Sequence, residues 1–439
     1  MRLILLVFVV FLCTRCVVAQ AITYEKDVAL IIRAKCVSCH KPNESAPFTL
    51  TSYDDVVKRA TFIKEVIKTQ FMPPWKADND YVHFANDRSL TQQEIDVIVS
   101  WIDNKTPRGK ETSSEIEQTK IIEGTAYNRA PDLVLRSANK FTVKGDGKER
   151  FIIFKVPFEL FDSAGIEAVE FYSNNKKLVH HVNYAFHPVL DSSIDINKTD
   201  AYINLTDDDR RKFDQYQPYR KSITYYGGWI PGAGYESYPA NFGWVLPKRG
   251  VVLITVHYAP TTQDVESEVG VNLFFKNEPI RRAVKVISFG SGGIGENSIT
   301  PSFFIPPNEK KTFTLELTNP VEDLSIMYVW PHMHYIGKKF TAYITNANNK
   351  GDTTRLVKIP DWDFRWQEMY RFQKLVRVPK GSILHIIGEY DNTAENPFNP
   401  FNPPQTIASY GDMVSTDEMM TLMMIFLPYQ KGDEDIDMR

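Results

Sequence analysis

The sequence predicts a mainly β protein, two jelly-roll or β-sandwich domains, preceded by a small all-α domain. Three observations carry this. From Pro131 onward, short runs of β-branched and aromatic residues alternate with Gly, Pro and Asn turns. Helix-period apolar patterns concentrate before residue 108. The strand-rich part, about 300 of the 439 residues, is too long for one ordinary sandwich, so two are expected.

Residues 1–20 read as an export signal: Arg2, the apolar run "LILLVFVVFL", then small residues in "VVAQA" suited to cleavage near Ala19–Ala21. The expected location is periplasmic or secreted. Cys13 and Cys16 fall inside this segment, which leaves Cys36 and Cys39 in the mature chain and no structural disulfide to hold its domains.

Residues 21–108 form the expected helical domain. "EKDVALIIRAKC" places Val28, Ile31 and Ile32 on one helix face. "SLTQQEIDVIVSWIDNK" predicts a second helix, with Thr91 and Glu94 as a capping box and Ile95, Ile98, Val99 and Ile102 as its buried stripe. Residues 109–130 are polar and suit a linker. Two β domains follow, over 131–287 and 288–439. Their expected strands are "KFTVKG", "RFIIFKVPF", "GIEAVEFYS", "KLVHHVNYAF", "GVVLITVHYAP", "TFTLELT", "KFTAYITNA", "SILHIIGEYDN" and "MMTLMMIFLPY". The Gly-rich "SFGSGGIGEN" at 288–297 is expected as the boundary loop, and "TDDDRRKFDQYQ" has a helix-like pattern.

A net charge of −3 gives no electrostatic footprint for nucleic acid. The strongest motif is "CVSCH", the C-x-x-C-H signature of covalent haem c attachment. Cys36 and Cys39 would bond the haem vinyls and His40 would supply one axial ligand. Met72, stiffened by two prolines in "QFMPPWK", is the expected sixth ligand, with His83 in "YVHFAN" as the alternative. The segment thus resembles a small monohaem cytochrome c domain.

The remaining chemistry lies in histidines of the β-rich part: His180 and His181 in "LVHHV", His257 in "VHYAP", and His332 and His334 in "HMHYIGK". Adjacent strand residues face opposite ways, so His180 and His181 can reach one metal only if the strand ends or bends there. Residues two apart share a face, so His332 and His334 can converge. Imidazole suits copper among other metals, and a thioether favours Cu(I).

With "YDN" at 390–392 and "DEMM" at 417–420, this set resembles the type II copper monooxygenases, the family of peptidylglycine α-hydroxylating and dopamine β-monooxygenases. The resemblance implies two copper ions, one on His180, His181 and His257, the other on His332, His334 and Met419. It implies hydroxylation of a substrate C–H bond with O2, with His332, His334 and Met419 at the catalytic metal. Two electrons per turnover come from an external donor, and the haem domain is expected to relay them. The positions that clamp a peptide carboxylate in the amidating members are here Trp330, Thr421 and Met423, and Met420 replaces a Cys. Without charge-assisted hydrogen bonds there, a small neutral or apolar substrate is indicated. The alternative is a non-enzymatic electron-transfer or copper-binding protein. His187 and His385 match no ligand and are expected to be structural.

Overall fold

The computed structural model describes residues 21–110, 125–319, 322–346, 349–409 and 416–438. The expected export signal, and most of the expected linker, lie outside the described residues. Among those described, no helix is long and apolar enough to cross a membrane.

The chain is mainly β. Between Leu133 and Ala283 the strands form a six-stranded and a five-stranded sheet, plus a two-stranded pair. Arg249–Tyr258 lies at the centre of the five-stranded sheet, antiparallel to Arg150–Glu159 on one side and to Val179–Pro188 on the other. The inner faces of the two large sheets share one core, in which Val252, Ile254 and Val256 of the central strand meet Val169, Phe171, Val271 and Leu273. From Lys285 onward two four-stranded sheets enclose a second core around Phe313, Val329, Phe340, Ile386 and Leu422. Nine of the expected strand runs form strands. Phe242–Leu246 and Tyr370–Val378 are among the strands with no expectation attached.

The first core contains one carboxylate. Glu236, 7% exposed, accepts hydrogen bonds from the hydroxyls of Tyr225, Tyr238 (2.6 Å) and Tyr184 (3.4 Å). Burial raises its pKa to about 7, against the opposing effect of these phenols. A carboxyl whose folded pKa is raised holds its proton more tightly folded than unfolded. Its stabilisation is therefore complete below the unfolded value of 4.5 and disappears as pH climbs through about 7. The difference corresponds to roughly 3 kcal/mol at about 1.4 kcal/mol per pKa unit. Unfolding free energies from urea titrations at pH 4.5 and 8.5 are expected to show Glu236→Gln gaining roughly 3 kcal/mol on the parent chain over that rise in pH.

Residues 24–103 contain a short π-helix, Tyr24–Val28, and four α-helices, Ala29–Lys35, Tyr53–Val57, Ala60–Lys68 and Gln92–Asp103. The capping box of Thr91 and Glu94 is present with both of its hydrogen bonds. The helices have their own small core, where Val28, Ile32, Ile63, Ile98 and Trp101 meet. Trp101 occupies the centre of the stripe, while Val99 and Ile102 are only partly buried. The middle pair of helices had no expectation attached.

This helical part is not a free appendage. The segment after Met72 leaves it and packs on the second β core. Ala77 and Phe84 are buried there, and Trp75 sits edge-on to Tyr370 with ring centroids 5.2 Å apart. Phe84 pairs with Phe372 as an isolated antiparallel bridge, and Ala85 N–H donates to Arg371 O at 2.7 Å. These residues, within the span 21–108, thus pack on the second β core. Their apolar side chains give no sign in sequence of which core they enter.

Candidate functional site

The adjacent histidines sit where the strand is irregular. His181 pairs with His257, and Val179 with Tyr258, so His180 is the extra residue of a β-bulge. A bulge re-aims the side chain it carries. It turns both imidazoles toward His257, whose ring centroid lies 4.9 Å from each. His181 Nδ1 and His257 Nδ1 are 3.4 Å apart. Glu149, just before the strand Arg150–Glu159, completes the group. One of its oxygens is 3.1 Å from His257 Nε2 and the other 3.9 Å from His180 Nδ1. Among the described residues, Glu149, His180 and His257 offer ligand atoms all within 4.8 Å of one another.

The second set is built at a strand end rather than along a strand. Leu324–His332 stops at His332, and His334 lies beyond it. Met333 between them is fully buried, so the two imidazoles emerge on the other side, centroids 5.1 Å apart. Each has its Nδ1 engaged: His334 donates to Asp417 O at 2.9 Å, and His332 donates to Gln367 Oε1. That leaves both Nε2 lone pairs for a metal, the usual outer-shell arrangement for a ligating histidine.

Met419 is positioned by the residue before it. The Glu418 carboxylate accepts from the backbone N–H of His334, of Ile336 (3.2 Å) and of Met419 (2.9 Å), which ties the H-x-H turn to the methionine. Burial raises the Glu418 pKa to about 8 despite these donors. Tyr390, from "YDN", donates to Met419 O at 2.7 Å. Met420 points away into the second core and is fully buried. The Gly-rich loop forms part of the wall beside Met419 rather than a mere boundary. Gly290 has φ +92°, and a Cβ there would stand 1.9 Å from Met420 O, so only glycine fits.

Both sets open into one cavity of about 690 Å³, lined by His181, His257, His332, His334, Phe364 and Met419. Its other walls are mixed, with Phe151, Ile153, Leu205, Ile223 and Met423 beside Asn183, Asp214, Thr224, Tyr226 and Thr255. Arg211 at this cavity is already held by Asp209 at 2.9 Å. Trp330 donates to Gln367 O at 3.0 Å and Thr421 to Ser291 O at 2.8 Å, so neither is arranged as a carboxylate clamp.

His180, His181, His332 and His334 are poised as neutral donors. Burial lowers His180 to about 4, helped by His257. It lowers His332 to about 4 against the Gln367 hydrogen bond, and His334 to about 3 with His332 adding to the effect. His181 is pushed well down by burial and then by its histidine neighbours. For Glu149 burial acts upward, but His257, Tyr335 and His180 outweigh it and hold the carboxyl below its ordinary value. Neutral imidazoles, one ionised carboxylate and a thioether are a donor set that fits a copper-type ion at each cluster.

One loop joins everything, and it was invisible in sequence. Between Asn349–Ile359 and Tyr370–Val378, Phe364 packs edge-on to His181 at 5.3 Å and lies 5.5 Å from both His257 and His334. Gln367, 2% exposed, donates to Phe364 O at 2.9 Å, approaches His181 Nε2 at 3.3 Å, and accepts from His332. Glu368 pairs with Arg88 of the helical part.

That pair leads to "CVSCH". A Cβ on Gly232 would stand 2.4 Å from Cys39 Sγ and 3.5 Å from Arg88 Nη1, so the motif lies against the Gly232 turn of the first β unit. Cys36 and Cys39 are free thiols. Burial pushes Cys36 up to about 12 and raises Cys39 also, which is the opposite of a reactive redox dithiol. His40 Nδ1 donates to Phe48 O at 2.9 Å, leaving Nε2 free for an axial bond. Next to it, an open cavity of about 430 Å³ is lined by Phe48, Val57 and Phe62, and Phe62 and Phe71 are exposed. The lining also includes Lys58 and Arg59, and the motif reaches it through His40, whose ring lies 4.7 Å from that of Phe48. Met72 is half-buried in its loop. His83 is exposed, on the segment whose Val82 and Phe84 pack against the second β core.

The remaining histidines are satisfied elsewhere. His187 donates to Ser222 O at 2.8 Å, and His385 stacks on Tyr343 and bonds Thr345 Oγ1 at 2.8 Å, on a different sheet from His332.

No protein-family model matches the chain, and no curated protein matches it. Among solved structures, it is similar to an allantoicase, at 12% identity over 57% of this chain and 81% of that one, with a TM-score of 0.16. It is also similar to the infectious bursal disease virus Gx strain structure, at 10% identity over 67% and 78%, with a TM-score of 0.17. A third is the PBSX exported protein XepA, at 9% identity over 56% and 88%, with a TM-score of 0.12. Likenesses of this size carry no argument about fold or function.

Proposed function

We propose that the chain is an exported copper- and haem-containing monooxygenase of the type II copper kind, hydroxylating a C–H bond of a small neutral or apolar substrate with O2. The single observation that supports this most is the convergence of His181, His257, His332, His334 and Met419, from widely separated parts of the sequence, on one cavity. In this reading its two β units are jelly-roll sandwiches and its helices a cytochrome c domain, with Met72 the sixth iron ligand. Copper, when bound, supplies the O2 reduction and C–H activation that no amino-acid side chain provides.

The chain's own residues do the rest. Glu418 fixes the distance between the H-x-H turn and the Met419 thioether. Phe151, stacked on His257 with ring centroids 4.1 Å apart, walls the cavity beside the first set together with Ile153 and Leu205. Gln367 and Phe364 hold the two histidine sets in register, and the Arg88–Glu368 pair seats the haem-binding motif behind them. Electrons entering at "CVSCH" thus have a packed route to the cavity, in place of a donor swinging on a linker.

Metal analysis of the purified, exported chain tests the reading. One haem iron and two coppers per chain are expected, with O2 consumed once substrate is found. A chain that takes up haem but no copper, or copper with no O2 consumption in the presence of an electron donor and a panel of small neutral substrates, would overturn it.

A further inference from the structure

The first histidine set holds more than three imidazoles, and its geometry separates them. His181 is committed. Its Nε2 faces the Gln367 amide nitrogen at 3.3 Å, and that amide cannot turn over freely, because its second N–H donates to Phe364 O at 2.9 Å. Its other nitrogen, Nδ1, faces His257 Nδ1 at 3.4 Å, so both ring nitrogens of His181 already face neighbouring side chains.

His180 and His257 are in the reverse condition. His180 Nδ1 is a buried atom without a hydrogen-bond partner, and His257, 1% exposed, turns its Nε2 to the Glu149 carboxylate. A buried unsatisfied polar atom costs on the order of 1–3 kcal/mol and calls for an explanation. Both atoms face the Glu149 carboxylate, at 3.9 and 3.1 Å, and the three residues' ligand atoms lie within 4.8 Å of one another. Donor atoms on a common ion at about 2.0–2.2 Å from each are separated by roughly 3–4 Å. Glu149 is in turn oriented by the Tyr335 hydroxyl, the kind of outer-shell hydrogen bond that ligating carboxylates carry.

We infer that the first metal is held by Glu149, His180 and His257, and that His181 is not a ligand but a positioning residue, which links this site through the Gln367 amide to His332 of the second. The inference rests on the copper reading above and changes its ligand set: two nitrogens and one oxygen replace three nitrogens. A carboxylate adds negative charge and hardness, which favours the oxidised, divalent ion relative to Cu(I).

The test uses the full chain loaded with Cu(II) alone, with metal stoichiometry, electron paramagnetic resonance and melting temperature as readouts. Glu149→Gln is expected to lose one of two coppers, or to weaken that site more than tenfold, while keeping its fold. His181→Phe is expected to keep both coppers. Nitrogen superhyperfine structure from the first site of the parent chain should count two imidazoles, a readout that needs no variant to fold. Three imidazoles in the parent, or loss of the first copper in His181→Phe together with two coppers in Glu149→Gln, overturns the inference and leaves the copper reading standing. A parent chain that binds no copper overturns both.

Discussion

Met419→Ile is expected to abolish product formation while leaving the fold nearly intact. The thioether is the single soft donor at the second set, and its loss removes several kcal/mol of metal-dependent stabilisation, a fall in turnover on the order of 10³. The side chain is only partly buried and beside the open Gly292, and isoleucine matches methionine closely in volume, so the melting temperature should move by no more than a few degrees. Copper content at the second set and turnover, measured together, check this. Retention of full activity would remove Met419 from the site. The role could not then pass to Met420, which is fully buried in the second core.

The second large effect is expected at the other end of the molecule. Replacing Cys36 and Cys39 together by serine should eliminate covalent haem, and with it turnover supported by a protein electron donor. Turnover with a small chemical reductant that reaches the cavity directly should persist at near the parent rate. The pair of substitutions is a better probe than deleting residues 24–107, because that deletion would also remove Ala77 and Phe84 from the second β core and expose Tyr370 and Phe372. Losing Phe84, a large buried side chain, commonly costs about 3–5 kcal/mol by itself. Loss of activity in the truncated chain would therefore not distinguish a missing electron donor from a damaged fold. If the serine variant works equally well with both donors, the haem relay is wrong.

These expectations share one structural feature. The two histidine sets, the helical part and the cavity meet at the loop between Ile359 and Tyr370, through Phe364, Gln367 and Glu368. The helices are docked by backbone bonds, aromatic packing and the ion pair of Arg88 with Glu368, whose side chains are 15% and 8% exposed. Breaking one partner of such a sheltered pair strands the other charge, typically at a cost of about 3–5 kcal/mol. Docking of this kind is a fixed geometry, which suits electron transfer over a set distance better than a flexible tether does.

The sequence by itself determined what local rules govern. Nearly continuous runs of β-branched and aromatic residues made strands of "RFIIFKVPF" and "GVVLITVHYAP", both of whose faces are largely buried. The capping box of Thr91 and Glu94 set a helix start, since the orphan N–H groups it satisfies lie within three residues. The histidine motifs pointed to the chemistry proposed, because imidazole and thioether donors are few and their spacing is short. Only the tertiary structure decided which groups complete the sites. Glu149 reads as one more charge in "GDGKER", yet strand pairing carries it to His257, more than a hundred residues away. Gln367 lies in "DFRWQEMY" with no periodicity to mark it, and becomes the link between His181 and His332. The bulge at His180 depends on how two strands pair, and the entry of Phe84 into the second core on what surface awaits it. Contacts between residues far apart in the chain are set by the whole packed arrangement, and no window of neighbouring residues contains them.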